Sequence, residues 1–124
     1  MALAFPAACN TPRRRVEFCI HAEEKLRQLH NKMGRWYRVT LDPVENPPIT
    51  QAQYDASFPS GIFDKIKARY PYAPALTHEQ WDDFQDNVWT KLQNKLSQAQ
   101  SAEVELLRAS SEFTPDLEDL HGDL

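Results

Sequence analysis

From Thr77 to Ser110 apolar side chains return at helical spacing. Trp81, Phe84, Val88, Leu92, Leu96, Ala99 and Leu106 form the stripe, with Trp89 and Leu107 at its edge. At about 100° per residue they fall on one face of a helix. No proline or glycine interrupts the run. Thr77-His78-Glu79-Gln80 has the form of a capping box, in which the Thr77 hydroxyl accepts from the Gln80 N–H and the Gln80 side chain accepts from the Thr77 N–H. Glu79, Asp82 and Asp83 fill the first turns, where the helix dipole favours anions. Such a helix would be roughly 50 Å long, which favours a bundle or coiled coil. Gln85 and Glu103 intrude on the stripe, and it thins between Ala99 and Glu105.

A second periodic run lies near the N-terminus. Thr11-Pro12 has the form of a helix start, with Thr11 as N-cap and Pro12 at a position where its missing N–H costs nothing. Cys19, Ala22, Leu26, Leu29, Met33 and Trp36 follow at spacings of three, four, three, four and three, a heptad seam. Phe18 widens it, while Val16 and Ile20 lie on the far side and could meet a second neighbour. Gly34 predicts the helix end. Tyr37, Val39 and Leu41 alternate with polar residues and predict a short extended segment.

Six prolines between Pro43 and Pro74 exclude a long helix there. Thr50-Gln51-Ala52-Gln53 is a second capping box, opening a short helix that Phe58-Pro59 stops. Ser60-Gly61 predicts the start of another, running to about Arg69. Tyr54, Phe58, Ile62, Phe63, Ile66 and Tyr70 make this connector too apolar for a solvated linker. The fold expected is all-α: an antiparallel pair of long helices, near residues 12–34 and 77–110, with a proline-rich connector containing two short helices. Residues 1–10 read as a flexible lead, 11–111 as a single helical domain and 112–124 as an acidic tail. In that tail Phe113, Leu117, Leu120 and Leu124 have amphipathic spacing behind Thr114-Pro115; a frayed terminus is the plainer alternative.

Charge sharpens this picture. The formal net charge of the 124 residues is −4, but residues 1–40 carry net +5 and residues 77–124 net −8. Such halves attract, within one chain or between two copies. No apolar run approaches the ~18 residues of a membrane span. Met1–Cys9 lacks the positive start of a secretory signal, and two cysteines make no disulfide framework. We expect a cytoplasmic protein without membrane contact.

Chemistry-bearing residues are sparse. Cys19, His21 and His30, with Cys9 upstream, lack the paired spacing of a zinc site, and Cys19 on the seam reads as a small buried hydrophobe. Neither cysteine has a base and an orienting carboxylate placed beside it. Asp82, Asp83 and Asp86 read as a solvated acidic face. Three isolated glycines form no phosphate-cradling loop. We expect neither catalysis, cofactor nor metal.

The function expected is therefore a non-enzymatic protein-interaction module, an adaptor, inhibitor or assembly component acting through an exposed helix face. Trp81, Trp89, Leu92, Leu106 and Leu107, with Phe113 and Leu117 in the tail, are the contact candidates, since tryptophan anchors dominate many interfaces. Self-association as a dimer is expected, because a helix of about 33 residues would outrun one of about 22 and leave Ala99, Ala102, Leu106 and Leu107 uncovered. The alternatives are a nucleic-acid-binding protein using Arg13, Arg14 and Arg15 with the basic first helix, and an acidic mimic occupying a nucleic-acid-binding protein. The abundant carboxylates of the second half favour internal pairing for the three arginines.

Overall fold

The structure is a computed structural model that describes residues 3–58 and 63–109. It is all-α, with no strand among the described residues. Helix α1 spans Pro12–Leu41, α2 Gln51–Ser57, α3 Asp64–Arg69, α4 His78–Asp83 and α5 Thr90–Ala109; a π-helical turn, Phe84–Trp89, joins α4 to α5. The long first helix packs against the long C-terminal helical run, and the short helices occupy the connector. The chain divides into two compact units, residues 24–92 and a second formed by residues 1–23 with 93–124.

In the unit of residues 24–92, α1 does not stop at Gly34. It runs to Leu41, and the expected extended segment is helical. Tertiary contacts override the glycine and the alternating pattern. The Trp36 carbonyl accepts from the Leu76 N–H at 3.2 Å, and the Trp36 indole N–H donates to the Ala73 carbonyl at 2.8 Å. The Thr40 hydroxyl donates to the Leu76 carbonyl. Trp36, Tyr37 and Val39 are thereby buried with Leu26, Leu29 and Met33 of the seam. Both capping boxes form, at Thr50 and Thr77. The second connector helix begins at Asp64; the Ser60-Gly61 start lies outside the described residues.

In the other unit, the first turns of α1 lie against α5. The Thr11 hydroxyl accepts from the Arg14 N–H at 3.2 Å, so Thr11 caps the helix as expected. Within the lead the Cys9 N–H donates to the Pro6 carbonyl, and Phe5 meets Phe18 of α1 edge-on at 5.7 Å. Cys19 and Ala22 of the seam are buried here, Leu96 is fully buried, and Ile20 is exposed.

The π turn sets which face of α5 is buried. The Gln85 carbonyl accepts from the Thr90 N–H, five residues on, and from the Thr90 hydroxyl at 2.8 Å. Such a turn holds one residue more than an α-helical turn. At 3.6 residues per turn from the buried Phe84, an uninterrupted helix would carry the same face through Lys91, Lys95, Gln98, Ala102 and Leu106. One inserted residue moves it to Leu92, Leu96, Ala99, Glu103 and Leu107. Glu103 is 5% exposed and Leu107 7%, while Leu106 is 52% exposed. Leu107 replaces Leu106 on the buried face, which corrects the expected stripe; Glu103 intrudes on that face as expected.

Candidate interaction site

An apolar groove of about 190 Å³ lies beside α1 and α2 in the unit of residues 24–92. Met33 and Trp36 of α1 and Tyr54 and Phe58 of the connector line it, and all four are buried residues. Ile49 and Ser57 are half-buried at its sides, and Lys32, Arg35, Gln53 and Ala56 stand exposed around it.

Each wall has a local cause. The α2 wall starts at the Thr50 cap: Gln53 N–H donates to the Thr50 hydroxyl at 3.1 Å, and the Gln53 side chain accepts from the Thr50 N–H at 2.9 Å. This fixes where Tyr54 leaves the helix. The Tyr54 hydroxyl lies 2.9 Å from the Lys67 carbonyl and 2.7 Å from that of Tyr70, so the ring is held at its polar end. Burial, and then the nearby Asp55, push its phenol above the ordinary value. Trp36 meets Tyr54 edge-on at 5.5 Å, Phe58 lies 5.1 Å from Tyr54 and Tyr72 5.5 Å. Edge-to-face contacts of this kind add to the stabilisation that burial provides. The Tyr72 hydroxyl donates to the Ile49 carbonyl at 2.8 Å, and Ile49 N–H donates to the Pro74 carbonyl at 2.9 Å, which pins the third wall. At the rim the Lys32 ammonium is 3.4 Å from the Ala56 carbonyl. The result is an apolar, mostly aromatic floor beside two exposed cations.

The two tryptophans expected as contacts rest partly against α1 and keep part of their surface exposed. Trp81 stacks on Tyr37 at 5.2 Å with 10° between the planes, and its ring lies over Gly34. Trp89 lies 4.3 Å from the His30 ring, whose Nε2 is 3.1 Å from the Gln85 side-chain oxygen. Both tryptophans and Leu92 are half-buried. Of the leucine pair, Leu106 is on the surface and Leu107 within. Phe113 and Leu117 lie outside the described residues.

The three arginines are not brought together as one patch with free heads. Arg13 is exposed on the first turn. Arg14 donates to the Asn10 side chain at 2.8 Å. Arg15 donates to Glu103 at 3.0 Å and to the Cys9 carbonyl at 3.0 Å, with its guanidinium over the Phe5 ring. Internal pairing with the acidic half thus holds for Arg15.

One expected solvated carboxylate is a structural centre. Asp83 receives both ends of the Arg69 fork at 2.7 Å, the Tyr70 hydroxyl at 2.6 Å and the Asn87 amide at 2.8 Å. These hydrogen bonds, Arg69's foremost, hold its carboxyl well below the usual range. Burial first, and then Asp83, push the Tyr70 phenol up.

Among the described residues no three His, Cys, Asp or Glu side chains cluster so as to hold a metal ion. The groove was missed from sequence because it joins positions across the proline-rich connector. Its available signal was the exposed pair Lys32 and Arg35 flanking the seam residue Met33, read together with Tyr54 and Phe58. No known protein family, curated protein or solved structure matches the chain.

Proposed function

We propose that this chain is a non-enzymatic protein-interaction module, and that its contact surface is the groove beside α1 and α2. The observation that supports it is an apolar floor of Met33, Trp36, Tyr54 and Phe58 flanked by the exposed cations Lys32 and Arg35. The partner chemistry that fits is an acidic segment presenting an aromatic or leucine side chain: the apolar group fills the groove and the carboxylates meet the rim. Buried apolar anchors supply most of the affinity, and rim charges mainly set encounter rate and specificity. The chain itself carries such a sequence, residues 112–124, with Phe113, Leu117 and Leu120 among five carboxylates. Dimerisation, by engagement of that sequence from a second copy, is the self-association this reading allows. The length argument for a dimer falls away, because α1 has 30 residues and matches its partner. The unpaired cysteines Cys9 and Cys19 suit a cytoplasmic, reducing setting. The nucleic-acid alternative loses Arg15 to Glu103 and is the weaker proposal.

Fluorescence polarisation with a labelled peptide of residues 112–124 tests the reading. We expect saturable binding at micromolar concentrations, weakened by salt as exposed ion pairs are. Ala56→Trp, an exposed position beside the groove, fills it without touching the core and should weaken binding at least about tenfold. Peptide binding that Ala56→Trp and the pair Lys32→Glu/Arg35→Glu leave unchanged would refute the groove as the contact surface.

A further inference from the structure

Helix α1 ends in a turn that holds two apolar side chains away from the core. Pro43 has no N–H to continue the helix, and Asn46 closes the turn instead. Its backbone N–H donates to the Asp42 carbonyl at 3.0 Å, and its side-chain amide donates to the carbonyls of Arg38 at 3.2 Å and Asp42 at 3.0 Å. The Glu45 N–H donates to the Asp42 carboxylate at 3.1 Å. These bonds meet carbonyls that a helix end leaves open, and they hold the turn in shape. On it Val44 is 91% exposed and Leu41 63%, the most exposed large apolar side chains among the described residues. A single apolar side chain in water is ordinary. Here Leu41, Asp42, Pro43, Val44 and Glu45 are all exposed in succession, so two apolar groups stand beside two carboxylates.

We infer that this turn, residues 41–45, is a segment with which one copy of the chain docks into the groove beside α1 and α2 of another. The inference rests on the groove as the contact surface, and adds to residues 112–124 an occupant that the described fold already presents. The two surfaces are complementary. The apolar floor matches Val44 and Leu41, and the exposed Lys32 and Arg35 match Asp42 and Glu45 in charge. Burial of the apolar pair supplies the affinity, and the exposed charges set the choice of partner. At about 190 Å³ the groove is smaller than the roughly 300 Å³ at which sites for drug-sized ligands begin, and suits side chains of a protein. Within one chain the two surfaces stay apart: no residue of the turn lines the groove, and Val44 is open to water. A second copy brings each the surface it lacks at home. Both lie in the unit of residues 24–92, so the contact does not depend on the other unit.

Sedimentation equilibrium of full-length variants, at concentrations on the order of tens of micromolar, tests the inference. Val44→Ser removes the apolar tip at a position outside the core, and should weaken self-association at least about tenfold. The labelled peptide of residues 112–124 should bind this variant as it binds the native protein, because the groove is untouched. Exchange of charge adds a pairing test. Lys32→Glu/Arg35→Glu makes groove and turn both acidic. Asp42→Asn/Glu45→Lys makes both basic, while the asparagine keeps an acceptor for the N–H of residue 45. Each variant alone should associate less than the native protein. An equimolar mixture should recover association, since every turn then meets a groove of opposite charge, a recovery that misfolded variants would not give. Self-association that Val44→Ser and Asp42→Asn/Glu45→Lys leave at native strength would overturn the inference; its loss in Ala56→Trp would then keep the groove and assign it to residues 112–124. A mixture without recovery, or a native protein that stays monomeric, would overturn it as well, and peptide binding reports on the groove separately.

Discussion

Replacing Gly34 by alanine distinguishes two accounts of the first helix by the sign of its effect. As a helix-terminating residue, Gly34 would adopt a left-handed conformation, and a Cβ there would cost about 1–2 kcal/mol. The structure instead places Gly34 inside α1, seven residues before its end at Leu41. Glycine in a helix interior is worse than alanine by roughly 0.5–1 kcal/mol. A Cβ built on Gly34 meets the Trp81 ring at 3.6 Å, an ordinary van der Waals contact that needs no rearrangement. The site is half-buried, so the methyl adds part of the ~0.8 kcal/mol of a buried carbon. Gly34→Ala should therefore stabilise the protein by about 1 kcal/mol. For a chain of this size that is about 4 °C in Tm, or a midpoint raised by about 0.5 M urea. Urea unfolding followed by circular dichroism reads it. A midpoint that falls would refute the continuous helix.

Other outcomes follow from the same contacts. Asp83 is held below its unfolded value of about 3.9, so its contribution is present above about pH 4 and lost as pH falls through the lower folded value. Urea unfolding from pH 7 to 2 should show stability dropping at the acid end, with a smaller drop in Asp83→Asn; identical profiles would contradict the hub. Burial, reinforced by Glu23, Glu103 and Cys9, pushes the Cys19 thiol up. In native protein a thiol reagent should modify half-exposed Cys9 and spare Cys19, which should react only on unfolding; rapid labelling of both would place Cys19 outside the core. Sedimentation equilibrium at tens of micromolar, an affinity typical of modest interfaces, should show association that high salt and Lys32→Glu/Arg35→Glu weaken; a monomer throughout would remove the second copy as a partner.

The sequence was most legible where one residue sets one local geometry. Thr11, Thr50 and Thr77 cap helices because a hydroxyl and a backbone N–H three residues on suffice, with no help from the rest of the fold. The heptad seam was legible for a similar reason, since its spacing needs only a regular helix. Gly34 misled because its meaning depends on Trp81, far along the chain, and on the carbonyl of Trp36 engaging Leu76. The face of α5 was half legible. Leu92, Leu96 and Ala99 were in register, but the π turn at Phe84–Trp89 carries no sequence mark that periodicity detects. Its one-residue shift exchanged Leu106 for Leu107. Periodicity alone does not sort contact residues from packing residues. A tryptophan on a helix face looks the same whether it packs on Tyr37 and His30 or waits for a partner. The groove needs α1 and the connector folded together before Lys32, Arg35 and Tyr54 become neighbours.

Three tryptophan indole N–H signals give the most direct test of the groove. Trp36 lines it; Trp81 and Trp89 pack around His30 away from it. In ¹H–¹⁵N spectra recorded while the peptide of residues 112–124 is added, the account predicts progressive movement of the Trp36 indole signal, with those of Trp81 and Trp89 fixed. Movement of the Trp81 and Trp89 signals with Trp36 unmoved would contradict it and return the contact surface to the face of the long C-terminal helical run.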